Sequence, residues 1–248
     1  MKNMRNNKGF TLIELLFAIA IAGIVLAAVY GTFMVQNKSF KRQEQIVQLQ
    51  DNLRSAMTFM TREIRMARSN PTSNNDGSIG ILEADAGTFH FTMDISGGET
   101  DDNDNDGDGL IDEADEAAFS DGDVDDANED ITYTLYDPLF DDPVHDTAIS
   151  RISGATGTNQ ALAENIDALN FVYLNGDGNP MVTPVSIPQL QDISAVQVTI
   201  VAKMDREDPS FTDKTIYRNQ QNTVILDKAA NPDHFRRRMV SSTIKLRN

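Results

Sequence analysis

Gly9 to Val35 reads GFTLIELLFAIAIAGIVLAAVYGTFMV, and the reading of this stretch decides how the rest of the chain is organised. Leu15 to Val35 contains no charged residue. As a helix it is long enough to cross the roughly 30 Å hydrocarbon core of a bilayer. Lys2, Arg5 and Lys8 stand before it with no acid among them, so the excess of positive charge predicts a cytoplasmic N-terminus and an exported remainder. Glu14 interrupts the start of the apolar run, where an ionisable group is costly and requires a partner. A removed secretory signal peptide shares the basic start and apolar core. Glu14 inside that core, and the lack of a polar turn before a small-x-small site, argue against one.

Gln36 to Ser69 extends the helix, with no Pro or Gly before Pro71. Ile46, Leu49, Leu53, Met57, Met60, Ile64 and Ala67 recur at steps of three and four and form one apolar stripe. A helix from Phe10 to Ser69 would be about 90 Å long at 1.5 Å per residue. The stripe suits a coiled-coil stalk. The apolar, strand-like segments that follow need a covering layer, which favours a helix backing a sheet.

Gly9-Phe10-Thr11-Leu12-Ile13-Glu14, behind its basic leader, resembles the class III signal of type IV pilins and of the pseudopilins of type II secretion. The resemblance implies that a prepilin peptidase cuts after Gly9 and methylates the new N-terminus at Phe10. It also implies that Glu14 neutralises the N-terminal amine of a neighbouring subunit during assembly. Chemistry agrees, because a carboxylate and an ammonium are each costly in hydrocarbon and much cheaper as a pair. The run from Gln50 to Ala67, QDNLRSAMTFMTREIRMA, and the arginine-led run from Phe235 to Asn248 resemble the matching parts of PilW-type minor pilins and of the related J pseudopilins. The segments expected are a cleaved leader (1–9), a transmembrane half-helix (10–35), an amphipathic half-helix (36–69) and a β-rich domain (70–248). The last carries an acidic insertion at 97–130.

Composition bounds the exported part. The chain of 248 residues has a net charge of −17 and no cysteine. Disulfides and thiolate sites are excluded. The negative charge disfavours nucleic acid or anionic lipid as a direct partner and suits divalent cations. The exported length supports one domain with a modest core.

Between Ser69 and Ser150 there are 24 acidic residues and neither Lys nor Arg. Such density repels itself unless something neutralises it. Asp104, Asp106 and Asp108 take loop positions 1, 3 and 5 of an EF-hand calcium pattern, Gly109 position 6, Leu110 position 7, Ile111 position 8, Asp112 position 9 and Asp115 position 12. Alternate carboxylates share a centre, the Leu110 carbonyl adds an oxygen, Asp112 acts through water, and Ile111 is expected to tie the loop to a core. The expected cofactor is one Ca²⁺, held at about 10⁻⁴ M as in extracellular modules. Asp115 in place of the usual glutamate shortens the reach, with Glu116 beside it as a substitute, and no helix precedes the loop. A register from Asp102 to Glu113 restores the final Glu but puts Gly109 where Ile belongs. A disordered acidic insertion is the alternative. The second run, Asp121 to Asp126, lacks the turn glycine and is not expected to hold an independent ion.

Strand-like alternation marks 79–82, 88–93, 131–136, 169–174 and 193–202, with a last strand from near Arg238. Segment 161–167 reads as helical or coiled, and 203–222 as a charged connection. His90, His145 and His234 are scattered and no serine has a nucleophile-elbow context, so no catalytic residues are expected. The expected fold is α+β and pilin-like, a long N-terminal helix packed on a mainly antiparallel sheet with the acidic loop inserted early. The expected role is a minor pilin of a type IV pilus, primed at the inner membrane with its C-terminal domain periplasmic, then carried to the pilus tip. Its partners would be the prepilin peptidase, sibling minor pilins, the major pilin and the inner-membrane assembly platform. The alternatives are a J-like pseudopilin and a calcium-dependent surface-binding module at the tip. Arg236 to Arg238 are expected to neutralise the acidic loop or to pair with a sibling, with plain solvated charge as the alternative.

Overall fold

The computed structural model describes residues 10–71, 79–98, 102, 104–111, 114–136, 147–154, 157 and 159–247. Helix α1 runs from Leu12 to Met66. From Gln36 onward its Gln, Arg, Met, Leu, Ala and Glu residues favour helix. It stops where Arg68 takes φ 69°, just before Asn70-Pro71, a sequence that cannot continue a helix. The Arg68 N–H, freed from the helix, donates to the Thr92 carbonyl at 2.9 Å. The chain divides into two compact units, Met1–Val47 and Gln48–Asn248. In the first, the apolar side chains of α1 are exposed, and α1 is long and apolar enough to cross a membrane.

In the second unit the stripe is buried from Leu49 through Leu53, Met57, Met60 and Ile64 to Ala67, with Ala56 and Glu63 beside it. The helix therefore backs a layer, as the stripe requires. That layer is two sheets. The first is a five-stranded antiparallel meander, β1 (Ile81–Ala84), β2 (Phe89–Thr92), β3 (Asp130–Tyr136), β4 (Ala148–Ser153) and β5 (Gln160–Ala163), in chain order. The second has the order β10-β7-β6, from β6 (Ile166–Leu174), β7 (Ala195–Lys203) and β10 (Arg237–Lys245). A hairpin, β8 (Ile216–Arg218) with β9 (Val224–Asp227), follows β7.

Central strand β7 is buried at every residue. Val196, Val198 and Ile200 share one face, as their alternation predicts. The other face is covered from the segment after β8, where Gln221 donates to Gln197 at 2.9 Å and Asn219 to Asn170 at 2.8 Å. Segment 161–167, expected to be helical or coiled, is instead the end of β5 and the start of β6. Ladder hydrogen bonds to β4 and β7 override its weak helical preference. The 203–222 connection likewise contains β8.

The sheets meet in an aromatic cluster. Phe89 lies 5.0 Å from Phe91, 5.8 Å from Phe171 and 5.5 Å from Tyr173, ring to ring. The Tyr173 hydroxyl donates to the carbonyls of Asp85 and Thr88 at 2.8 and 3.0 Å, which ties the β1–β2 turn to β6. A buried hub closes the other end of β10. Arg237 reaches Asp167 through Nε, Asp213 at 3.0 Å, and both oxygens of Asp233 at 2.6 Å. Arg236 pairs with Asp208 at 2.9 Å. This corrects the expectation for Arg236 and Arg237. Their partners are Asp167 of β6 and acids of the 205–233 connection rather than of the 97–130 loop, because β10 pairs with β7, which pairs with β6, and opens toward that connection.

Candidate functional site

Three features carry functional chemistry, and the first is the start of α1. Gly9 lies outside the described residues, while Phe10 is 92 % exposed. One carboxylate oxygen of Glu14, Oε2, accepts from both the N–H and the hydroxyl of Thr11 at 2.8 Å. The Glu14 N–H donates back to the Thr11 hydroxyl at 3.3 Å. Thr11-x-x-Glu14 is thus a reciprocal capping box, which satisfies orphan donors of the first turn. The Ser/Thr-x-x-Glu spacing was legible in the sequence, beneath the larger signal of the apolar run.

The second feature is the loop from Asp104. The carboxylates of Asp104, Asp106 and Asp108 can each place an oxygen within 4.8 Å of the others, and all three are exposed. Asx-type hydrogen bonds shape this turn: Gly107 and Gly109 donate their N–H to the two oxygens of Asp104 at 2.7 and 2.9 Å, and Leu110 donates to Asp108 at 2.9 Å. Gly109 at φ 98° supplies the left-handed turn that position 6 requires. Asp112 lies outside the described residues. Asp115 is described but stands outside the close group, at the start of a short 3₁₀ turn.

Two expectations fail here. Ile111 is 58 % exposed and ties the loop to no core; among the described residues no α-helix flanks the loop to present an apolar face. Glu116 is fully buried, and its Oε1 accepts from the Asn105 N–H at 2.5 Å. That carboxylate therefore braces the loop backbone. Leu110 offers its carbonyl from an exposed position, 59 % accessible as a residue.

The third feature is a set of acids at the neck where the insertion leaves β2 and returns to β3. Glu129 is fully buried, and burial first, then the nearby Asp126 charge, push its carboxyl above its usual range against the N–H groups that lower it. In the Asp121–Asp126 run the Asp123 N–H donates to Asp121 at 3.1 Å and the Asp125 N–H to Asp123 at 3.0 Å. The Asp125 carboxyl is raised by its hydrogen bond to Asp123 and by that residue's charge. His90 of β2 has its Nε2 2.6 Å from Asp130 Oδ1.

Against this geometry the comparisons are specific at both ends of the chain. Residues 4–30 match the family model described as the prokaryotic N-terminal methylation motif. Residues 139–248 match the model described as Type IV Pilus-assembly protein W. The chain is therefore similar to a prepilin-type N-terminus at one end and to a pilus-assembly W protein at the other. The W match spans β4 to β10, including Arg151 and the Arg237 hub, and begins after the acidic insertion. Among solved structures, a type IV-like pilin from Thermus thermophilus matches at 12 % identity and a TM-score of 0.42, over 80 % of this chain and 96 % of that one. No curated protein sequence matches the chain. Both ends of the chain are thus similar to pilus families, and the N-terminal match falls on the helix long and apolar enough to cross a membrane.

Proposed function

We propose that this protein is a minor pilin that primes type IV pilus assembly and caps the filament tip. The observation that carries the reading is the Gly9–Glu14 signal leading into an exposed apolar helix and, at the other end of the chain, a pilus-assembly W domain. Cleavage after Gly9 frees the Phe10 amine. In the membrane, Glu14 meets the amine of an adjacent subunit and guides docking, since each charge alone is costly there. Its Oε2 is held by Thr11, so the carboxylate is oriented before a partner arrives. Sibling minor pilins join through the same helices, and the β-rich domain forms the exposed end.

The test is complementation of a strain lacking the gene. Gly9→Val is expected to leave an uncleaved chain and few surface pili, and Glu14→Ala a cleaved chain with few pili. Normal piliation without the gene, together with loss of protein secretion, would instead establish the pseudopilin role. Normal numbers of pili that no longer adhere would establish the tip-binding module.

For the acidic loop we propose a calcium site formed by Asp104, Asp106, Asp108 and the Leu110 carbonyl, with Asp112 and Asp115 completing it. An all-oxygen, carboxylate-rich set suits a hard cation. Calcium is expected to slow proteolysis of the insertion in the full-length chain held in detergent micelles. The protection should vanish in D104N/D106N/D108N. Equal cleavage with calcium and with chelator would overturn this reading and leave the pilin role untouched.

A further inference from the structure

Strand β10 pairs with β7 on one side, and among the described residues no strand lies on its other side. The register runs from Arg237 opposite Lys203 to Lys245 opposite Ala195 without a bulge. Hydrogen bonds at the two ends fix which backbone groups point outward. The Met204 N–H donates to the Arg236 carbonyl at 2.9 Å, and the Leu246 N–H to the Ser194 carbonyl at 3.0 Å. Hydrogen-bonded positions alternate along an antiparallel pair. Even-numbered residues of β10 therefore turn their backbone to β7, while the N–H and C=O groups of Met239, Ser241, Thr243 and Lys245 point to the open edge. Arg247 keeps the same phase, and its N–H donates to the Arg65 carbonyl of α1 at 2.9 Å. The other four find no backbone partner among the described residues.

An open edge of this length is a template for another strand, and proteins usually blunt it with proline, bulges or charge. Met239 to Ile244 carries neither proline nor charge. Beside this edge a groove of about 500 Å³ runs between α1 and β10, lined by Leu53, Met57, Met239 and Val240 with Arg54 and Arg238. Val240 shares its face of β10 with buried Ile244 and Leu246. A strand added about 4.8 Å beyond β10 would send alternate side chains to that same face, into the groove. Arg54, Arg65, Arg238, Lys245 and Arg247 are all exposed along this line, and none has an ion-pair partner among the described residues. The acids of α1 beside it are Asp51 and Glu63, and Glu63 is held by Arg151. On a chain of net charge −17 this is an unusual concentration of unpaired cations.

We propose that the free edge of β10 and the adjoining groove receive, as an added strand, an extended segment of another protein that is apolar at alternate positions and acidic at its ends. The outward backbone groups of Met239, Ser241, Thr243 and Lys245 pair with the segment and supply affinity. Its apolar side chains fill the groove against Leu53, Met57 and Val240. Its acids meet Arg54 and Arg238 at one end and Lys245 and Arg247 at the other, which selects the partner by charge. This contact lies beyond the apolar half of α1 and is separate from the helix-to-helix docking proposed above.

The test is fluorescence anisotropy of a labelled peptide, EEVTVTVEE, titrated with the full-length chain in detergent micelles, with empty micelles as the blank. Wild type should bind it. S241P removes an outward N–H while leaving the ladder to β7 intact, and should weaken binding at least tenfold. S241A keeps that N–H, loses only the hydroxyl bond to Thr199, and should bind as wild type does. R54E/R238E alters two exposed side chains and should also weaken binding at least tenfold. The peptide KKVTVTVKK should not bind. Wild-type affinity in S241P, or an equal loss in S241A, would overturn strand addition. Equal binding of the lysine peptide, or no change in R54E/R238E, would overturn the acidic partner. Dimers of the chain that S241P dissolves would put a second copy on the edge and overturn a separate partner. No binding of EEVTVTVEE to wild type would overturn the proposal as a whole.

Discussion

Arg151 of β4 grips Glu63 of α1 inside the core, with Nη2 2.8 Å from Oε1 and Nε 3.0 Å from Oε2. The Tyr133 hydroxyl donates to the same carboxylate, and burial first, then the Glu63 charge, push that phenol far above its ordinary value. The Arg151 guanidinium also lies over the Phe59 ring, 5.7 Å from its centroid. One carboxylate on the helix thus joins it to two neighbouring strands.

Removing one member of such a buried pair strands a charge. Arg151→Met is expected to destabilise the protein by about 3–5 kcal/mol, and the double variant E63M/R151M by much less, since apolar groups replace both charges. Urea unfolding followed by near-ultraviolet dichroism measures both. Equal losses in the single and double variants would show that the pair does not act as a unit.

The Arg237 hub predicts acid sensitivity. Burial alone would raise Asp213 and Asp233. At Asp233 the contacts to Arg237 and Lys228 outweigh it, and at Asp213 those to Thr215, Tyr217 and Arg237 do, so both carboxyls fall below their ordinary range. Asp208 is lowered to about 2 by the Ser210 hydroxyl and Arg236. Depressed folded values mean that stability is full above the unfolded carboxyl value of about 3.9 and is lost as pH falls toward the folded ones. The thermal midpoint should therefore drop between pH 4 and about pH 2. Arg237→Met should lower it at pH 6 and flatten that slope. A parallel slope in the variant would count against the hub as its source.

Phe89 touches three rings across both sheets and is fully buried. Phe89→Ala should cost about 3–5 kcal/mol, the lost transfer energy plus the cavity left behind. Denaturant midpoints give the value. A loss below about 1 kcal/mol would mean that the two sheets close over the gap.

Gly97→Ala introduces a methyl group into space held by Asp121 and Asp126, at a backbone angle that L side chains rarely adopt. A destabilisation above about 1 kcal/mol is expected from the strained backbone alone. Faster proteolysis between Gly97 and Asp130 would locate it. Gly109→Ala makes the comparison, since its φ is also 98° but a Cβ there meets nothing within 4 Å. Only the backbone term should appear in that variant.

Much of this molecule was legible along the chain because the relevant physics is periodic or local. A run without charge measures itself against a bilayer, a three-and-four stripe declares the buried face of α1, and alternation marks β2, β3 and β7. The signal at Gly9 to Glu14 is likewise a local pattern, and so is the Asp104–Asp108 turn. Strands β4, β5, β8 and β9 show no clear apolar–polar alternation, and only their pairing with neighbouring strands defines them.

Sequence by itself therefore determined the anchor, the helix with its buried face, the α+β class and the acid-rich insertion. Tertiary structure alone decided the division into two sheets, the joining of Glu63 to Arg151 across 88 positions, and the capture of Arg237 by Asp167, Asp213 and Asp233. It also decided that Glu129 is buried beside Gly97 while Ile111 faces solvent. The reason is physical. A side chain's type fixes its charge and size, but burial and partner depend on which distant segments the fold packs against it, and in a low-dielectric interior those two settle what an ionisable group can do.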